Sequence, residues 1–300
     1  MNFVDMMLNQ KDFNEEKFGI SVDVEEKRQI TKDLALNSYT AINKMIEKMR
    51  KSEGEPSEDD LIFSSIDILR YIMSMLNLWD INPEKVDQAF ALKDNYLRLS
   101  LEVKRKQWEG QPVAIVDMDD VLCCFRDKFC NFLNSTYQAN VDRNSKQYYF
   151  IEAVKDIGLN PEKVFEDFIQ LGSFRNLAPE PGALQFLTDL KSKGYWIQIL
   201  TARPKENLTV FYDTYAWLKK HNVPFDRVDF SPEKLRWCMS SEYYDSSSIA
   251  FALDDSPKHA SEYASHDIPV YVPLKSYNED LDLNNITFYT QFSKLGEEIE

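Results

Sequence analysis

Five short apolar runs punctuate the later part of the chain: VAIV at 113–116, WIQILT at 196–201, RVDF at 227–230, IAFALD at 249–254 and PVYV at 269–272. Segments with helical spacing, such as PGALQFLTDLKSKG and NLTVFYDTYAWLKKH, lie between them. Strands that alternate with helices predict an α/β fold whose parallel sheet is covered on both faces. In such a sheet, ligands gather beyond the carboxyl ends of the strands. The residues placed there are Asp117 and Asp119, Thr201 and Arg203, Ser231 to Lys234, and Asp254 with Asp255.

The first third has a different period. From about Glu25 to Ala91 apolar residues recur at helical spacing, with Leu34, Ile42, Met45 and Met49 in one stretch and Ile62, Ile66, Leu69, Met73 and Leu76 in another. KSEGEPSEDD between them, with Gly54 and Pro56, has loop chemistry. NPEK at 82–85 supplies an Asn cap and a first-turn proline for a third helix reaching about Lys106. Gly110 and Pro112 end that pattern, so an all-α domain is expected over 1–108 and the α/β domain over 109–300.

Composition narrows the partners. Three hundred residues with 43% hydrophobic content suffice for two cores. Fifty acidic against 35 basic residues leave a net charge of −15, which repels nucleic acid and anionic membranes at long range. There is no uninterrupted apolar run of about 18 residues, and the N-terminus has no basic leader, so a cytoplasmic protein without a membrane partner is expected. Cys123, Cys124, Cys130 and Cys238 are expected to be reduced, buried thiols. His221, His259 and His266 show no ligand spacing and are expected at the surface.

VAIVDMDDVLCCF sets the chemistry. Asp117, Asp119 and Asp120 fall where a buried strand should end, although like charges this close repel and a dry carboxylate is costly. A lone acidic residue there is commonly a solvated turn or cap; three of them, matched by Asp254 and Asp255, call for a cation. With oxygen ligands only, magnesium fits best, held by Asp117, Asp119, Asp254 and Asp255. Asp117 can then attack phosphorus, and Asp119 can serve as acid and then base. Thr201 and Lys234 would bind the equatorial oxygens. The bland alternative for Lys234 is that SPEK at 231–234 repeats the helix-start pattern of NPEK at 82–85 and 160–163.

DMDDVLCCF, ILTARP, the lysine of SPEKLRW and FALDDSP resemble, in order and placement, the four motifs of the haloacid dehalogenase-like phosphohydrolases. Within that superfamily the chain is most similar to the 5'(3')-deoxyribonucleotidases, through GSFRNLAPEPGA at 172–183 and YAWLKK at 215–220, over roughly residues 113–272. The resemblance implies a small helical cap at about 126–177, with Phe125 and Phe174 as aromatic walls for a nucleoside. Two positions depart from it. Asp120 stands where the family has glycine, a site of unusual backbone angle. Thr201-Ala202-Arg203-Pro204 looks more like the phosphatase half of polynucleotide kinases, so Arg203 either clamps a second phosphate or pairs with Asp255.

The helical part resembles the all-α MazG-like and dimeric dUTPase-like pyrophosphohydrolases, through DILRYIMSMLNLWDINPEKV and Lys93, Asn95 and Arg98. Residues 34–46 carry no acid and Ser64-Ser65-Ile66-Asp67 keeps one, too few for that group's metal site. The resemblance therefore implies a non-catalytic domain kept for homodimerisation or nucleotide binding. The whole chain is expected to be a magnesium-dependent phosphomonoesterase acting on small (deoxy)nucleoside monophosphates. A polynucleotide 3'-phosphatase is the alternative favoured by Arg203 and opposed by charge; a non-catalytic nucleotide- or partner-binding protein is the third.

Overall fold

The computed structural model describes residues 3–18, 23–51, 58–148 and 150–299, so the expected loop around Gly54 and Pro56 lies outside the described residues. The chain forms two compact units, Met1–Ala91 and Leu92–Glu300. The sequence places the division at 108/109; residues 92–108 instead group with the sheet.

In the first unit, α1 (Phe3–Phe18) and α2 (Val24–Lys51) both pack on α3 (Glu58–Leu78). The apolar pattern marks α2 and α3; α1, which carries few apolar residues in register, is not evident from it. The unit's centre mixes Met7, Leu34 and Met73 with polar groups. Gln10 Nε2 donates to Ser74 Oγ at 3.0 Å, and Asn77 Nδ2 to the Met7 carbonyl at 2.8 Å. These bonds satisfy amides that burial would otherwise leave costly. Leu61–Leu78 is long and apolar enough to cross a membrane by length and composition alone, although Asp67 and Arg70 interrupt it.

Helix α4 (Pro83–Arg105) begins at the Asn82 cap, whose Oδ1 accepts the Glu84 N–H at 2.8 Å, and its second half lies in the other unit. There Tyr96 packs edge-on against Phe211 and Tyr215, with ring centroids 5.0 and 4.9 Å apart. That burial explains why residues 92–108 join the sheet unit rather than the helices. Lys93 and Asn95, which suggested a pyrophosphohydrolase, bond Tyr212 and Lys219 of this unit instead.

The sheet comprises β1 (Val113–Val116), β2 (Trp196–Thr201), β3 (Arg227–Phe230), β4 (Ile249–Leu253), β5 (Val270–Pro273) and β6 (Ile286–Tyr289). Its order is β3-β2-β1-β4-β5-β6, and every pair is parallel. Five strands match the apolar runs within a residue; β6, ITFY, is an edge strand with weak alternation that the sequence pattern does not isolate. Val113 and Ile115 face one apolar core, Ala114 and Val116 the other, so β1 is buried on both sides. Between β1 and β2 the chain inserts α5 (Phe125–Tyr137), α6 (Ile151–Asp156) and α7 (Pro161–Gln170), the cap, before α8 (Ala183–Ser192). The remaining helices are α9 (Leu208–Lys220), α10 (Lys234–Met239), α11 (Pro257–Ala264) and α12 (Phe292–Glu298). The chain runs β1-β2-β3 to one side and returns to place β4 on the other side of β1. The crevice of the fold therefore opens at the carboxyl ends of β1 and β4.

Candidate active site

Asp117 follows β1, and its N–H bonds the Leu253 carbonyl at 2.9 Å, which locks the ends of β1 and β4 together. Asp254 and Asp255 follow β4 directly. One carboxylate oxygen from each of Asp117, Asp254 and Asp255 falls within 4.8 Å of the others, and all three residues are buried. Lys234, the first residue of α10, is 1% exposed and sits 2.7 Å from both Asp117 Oδ1 and Asp254 Oδ2. SPEK does start a helix, as NPEK does, yet its lysine points inward into the acidic cluster.

One ammonium faces three carboxylates here. Burial pushes Asp117 up to about 6, with Lys234 opposing and Asp254 and Asp119 reinforcing the rise. Burial likewise raises Asp254, and it raises Asp255 well above the ordinary carboxylate range. Burial alone would lower the Lys234 pKa, but Asp117 and Asp254 together outweigh it and hold the ammonium above its usual value. The protein alone leaves this cluster short of positive charge. Asp255 Oδ1 is buried with no hydrogen-bond partner, which is costly unless something else takes its lone pairs. An all-oxygen donor set of three buried carboxylates is the chemistry that a hard divalent cation takes.

Asp119 does not join this group. Arg203 grips it with a two-pronged fork, Nε to Oδ2 at 2.9 Å and Nη2 to Oδ1 at 2.6 Å, so its carboxylate is spoken for by a guanidinium and not presented to the cluster. The same guanidinium donates to Thr214 Oγ1 at 3.0 Å and lies over the Phe174 ring at 4.6 Å. Arg203 therefore pairs with Asp119 rather than Asp255. Asp119 still borders the cleft and, at 26% side-chain exposure, is its most accessible aspartate. Thr201, buried at the end of β2, lines the same cleft and accepts the Arg203 N–H at 3.3 Å.

The cleft encloses about 450 Å³. Asp117, Asp255 and Lys234 give it a polar lining, and the cap contributes an apolar one through Phe125, Phe129, Phe150, Ile151, Val154 and Phe165. Phe125 and Phe174 are nearly parallel with centroids 5.8 Å apart. A base between them would need about 3.5 Å on each side, so they form one wall and not a sandwich. Phe174 is the buried layer of that wall, beneath Phe125 and Arg203.

Several residues of the site escaped the motifs. His259 was expected at the surface, but it is 6% exposed and lines the cleft. Helix α11 starts two residues after Asp255, so its first turn cannot leave the site; burial, then Lys234, lowers the imidazole pKa. Asp120, at φ 57°, accepts the Arg126 N–H on Oδ1 at 2.9 Å and also borders the cleft. Tyr148 reaches the cleft from a cap loop without regular structure.

A Bacillus cereus protein named provisionally as a nucleotidase is 23% identical over 188 residues, covering 60% of this chain and 95% of that one. Among solved structures, a haloacid dehalogenase-superfamily hydrolase from Ehrlichia chaffeensis is 17% identical, with 64% of this chain and 97% of that one covered and a TM-score of 0.37. A D,D-heptose 1,7-bisphosphate phosphatase from Burkholderia thailandensis is 9% identical, with coverages of 63% and 97% and a TM-score of 0.40. The family model described as 5' nucleotidase, deoxy (pyrimidine), cytosolic type C protein matches residues 111–279. That span holds every strand end that carries the aspartate cluster, and the chain is accordingly a member of this 5' nucleotidase family and a phosphoric monoester hydrolase.

Proposed function

We propose that the chain hydrolyses (deoxy)nucleoside monophosphates with magnesium held by Asp117, Asp254 and Asp255. One observation carries the reading: a buried three-carboxylate cluster, in which Lys234 bridges Asp117 and Asp254, presents Asp117 and Asp255 to an apolar cleft large enough for a nucleotide. Magnesium would supply positive charge against the phosphate oxygens. An Asp117 oxygen attacks phosphorus, the ester P–O bond breaks, and the leaving oxygen takes a proton from Asp119. A water then gives its proton to Asp119 and attacks the aspartyl phosphate, releasing inorganic phosphate and restoring Asp117. Asp119 must leave the Arg203 fork to do so, and its partial exposure gives it room. Lys234 and Thr201 neutralise and orient the equatorial oxygens, while Phe125 and the cap phenylalanines cover the nucleoside and exclude water.

The polynucleotide reading stays opposed by the net charge of −15, while in the resting arrangement the guanidinium of Arg203 is held by Asp119 and Thr214. The helical unit is assigned a role in self-association rather than chemistry, in a homodimer. The four free thiols support a reducing, cytoplasmic setting. A phosphate-release screen over nucleoside mono-, di- and triphosphates and a 3'-phosphorylated oligonucleotide tests the proposal. Magnesium-dependent turnover of monophosphates, lost by a factor of at least a thousand in Asp117→Asn, is expected. Turnover of the oligonucleotide alone, collapsing as salt rises, would move the assignment to the polymer end.

A further inference from the structure

The loop after β5, residues 274–280, touches both the aspartate cluster and the cap. Tyr277 is 9% exposed, and its hydroxyl donates to Asp255 Oδ2 at 2.6 Å. Asn278 Nδ2 donates to the Asp255 carbonyl at 3.0 Å and to the Pro273 carbonyl at 2.9 Å, which fixes the loop beneath that residue. With Oδ2 engaged, Oδ1 is the oxygen of Asp255 left without a partner.

From the cap side, the buried Arg126 of α5 donates to the carbonyls of Arg143, Ser145, Gln147 and Tyr148 at 2.6 to 3.3 Å, gathering that loop around one guanidinium. The guanidinium lies over the Tyr277 ring at 4.6 Å, and Tyr148 meets the same ring edge-on at 5.3 Å. Ser276 Oγ donates to the Ser145 carbonyl at 3.1 Å, and Lys146 pairs with Glu279 at 2.7 Å. One tyrosine thus has its ring in the cap's grip and its hydroxyl on a carboxylate of the cluster.

We infer that Tyr277 is a positioning residue that holds Asp255 in the orientation presenting Oδ1 to the cation, and that it ties this orientation to the seating of cap loop 143–148. The inference rests on the metal reading above. The hydroxyl restricts Asp255 to one orientation and leaves a single oxygen for the ion. Outer partners of metal ligands are worth about 10- to 100-fold in metal affinity. The ring, clamped by Arg126 and Tyr148, transmits cap position to the hydroxyl.

The experiment titrates magnesium calorimetrically into the full chain, alongside manganese binding followed by electron paramagnetic resonance. Tyr277→Phe is expected to weaken binding of either ion at least tenfold, with kcat at saturating magnesium within about twofold of wild type and an unchanged nucleotide KM. Tyr277→Leu, which also removes the stacked ring, is expected to weaken the ion further and to raise nucleotide KM severalfold as the cap loosens. Wild-type affinity in Tyr277→Phe overturns the positioning role alone. Identical behaviour of the Phe and Leu variants overturns the link to the cap. A wild-type chain that binds neither ion removes the metal reading and this inference with it.

Discussion

Asp120 occupies a left-handed backbone position, φ 57°, that glycine adopts most easily and that Asp and Asn tolerate better than other residues. Its carboxylate accepts the Arg126 N–H, so the side chain has a structural use that glycine would lack. Burial pushes this carboxyl from its ordinary 3.8 up to about 7. The fold therefore takes up a proton here between those values. Stability contributed by the protonated form is present below about pH 4 and is lost as pH rises toward 7, by at most roughly 4 kcal/mol. Asp120→Asn keeps the backbone tolerance and the acceptor but does not titrate. Its melting temperature in chelator is expected to track wild type near pH 4 and to exceed it increasingly up to pH 8. A difference that stays flat across that range would refute the argument. Asp120 was legible because its neighbours placed it in a motif with a known backbone demand. Asp117, Lys234, Asp254 and Asp255 were legible because a parallel sheet sends its strand ends to one rim. Tyr277 was not, since nothing local in VPLKSYNED marks a hydroxyl that bonds a carboxylate 22 positions away. The Arg203–Asp119 fork was half legible: the arginine stood out, either as a clamp on a second phosphate or as a partner of Asp255, and the geometry gives it Asp119 instead.

At the scale of elements, period decided what could be read. Strands buried on both faces give unbroken apolar runs, so β1 and β2 stood out, whereas β6, half-exposed at the sheet edge, did not. Helices α2 and α3 showed their period clearly, yet the same pattern hid how their faces divide. On α3 the inward positions Leu61, Ser64, Ile68, Tyr71 and Met75 follow three- and four-residue steps, and a second stripe, Ile62, Ile66 and Leu69, follows the same steps outward, each more than 40% exposed. On α2, Tyr39, Ile42 and Ile46 form another outward stripe. A helix apolar on more than one face is ordinarily covered, and Leu61–Leu78 is only 11% buried. Side chains exposing roughly half their area add to on the order of 600 Å² per copy, the lower limit of a standard interface. Steps of three and four residues also suit left-handed helix–helix packing across a two-fold axis. The chain is therefore expected to sediment as a dimer at micromolar concentration, and Ile46→Lys with Ile66→Lys to convert it to monomer with kcat per chain unchanged. A wild-type chain that is already monomeric at those concentrations would rule out this use of the stripes.

For the whole molecule, the division at Ala91/Leu92 says which segments pack with the sheet. A boundary at residue 108 looks natural in sequence, because helix gives way to strand there and Gly110 with Pro112 marks the break. Sequence pattern registers where a helix ends; it does not register what the helix packs against. Tyr96 fills an aromatic cluster with Phe211, Tyr212 and Tyr215 of α9, and Lys219 of the same helix donates to Asn95 at 2.7 Å. Helix α9 in turn lies under the site: Thr214 accepts from Arg203, and Trp217 Nε1 donates to the Leu177 carbonyl at the base of the cap. A chain beginning at Asn82 retains all of α4 with its cap and is expected to keep wild-type kcat. A chain beginning at residue 109 uncovers three aromatic rings on α9. Removal of one large buried aromatic side chain alone costs about 3 to 5 kcal/mol, and a domain has only about 5 to 15 to lose. The shorter chain is expected to melt at least 10 °C lower and to lose activity on mild heating that the Asn82 chain survives. Equal melting temperatures for the two would mean that the second half of α4 is dispensable to the sheet unit, and that the sequence boundary was the functional one.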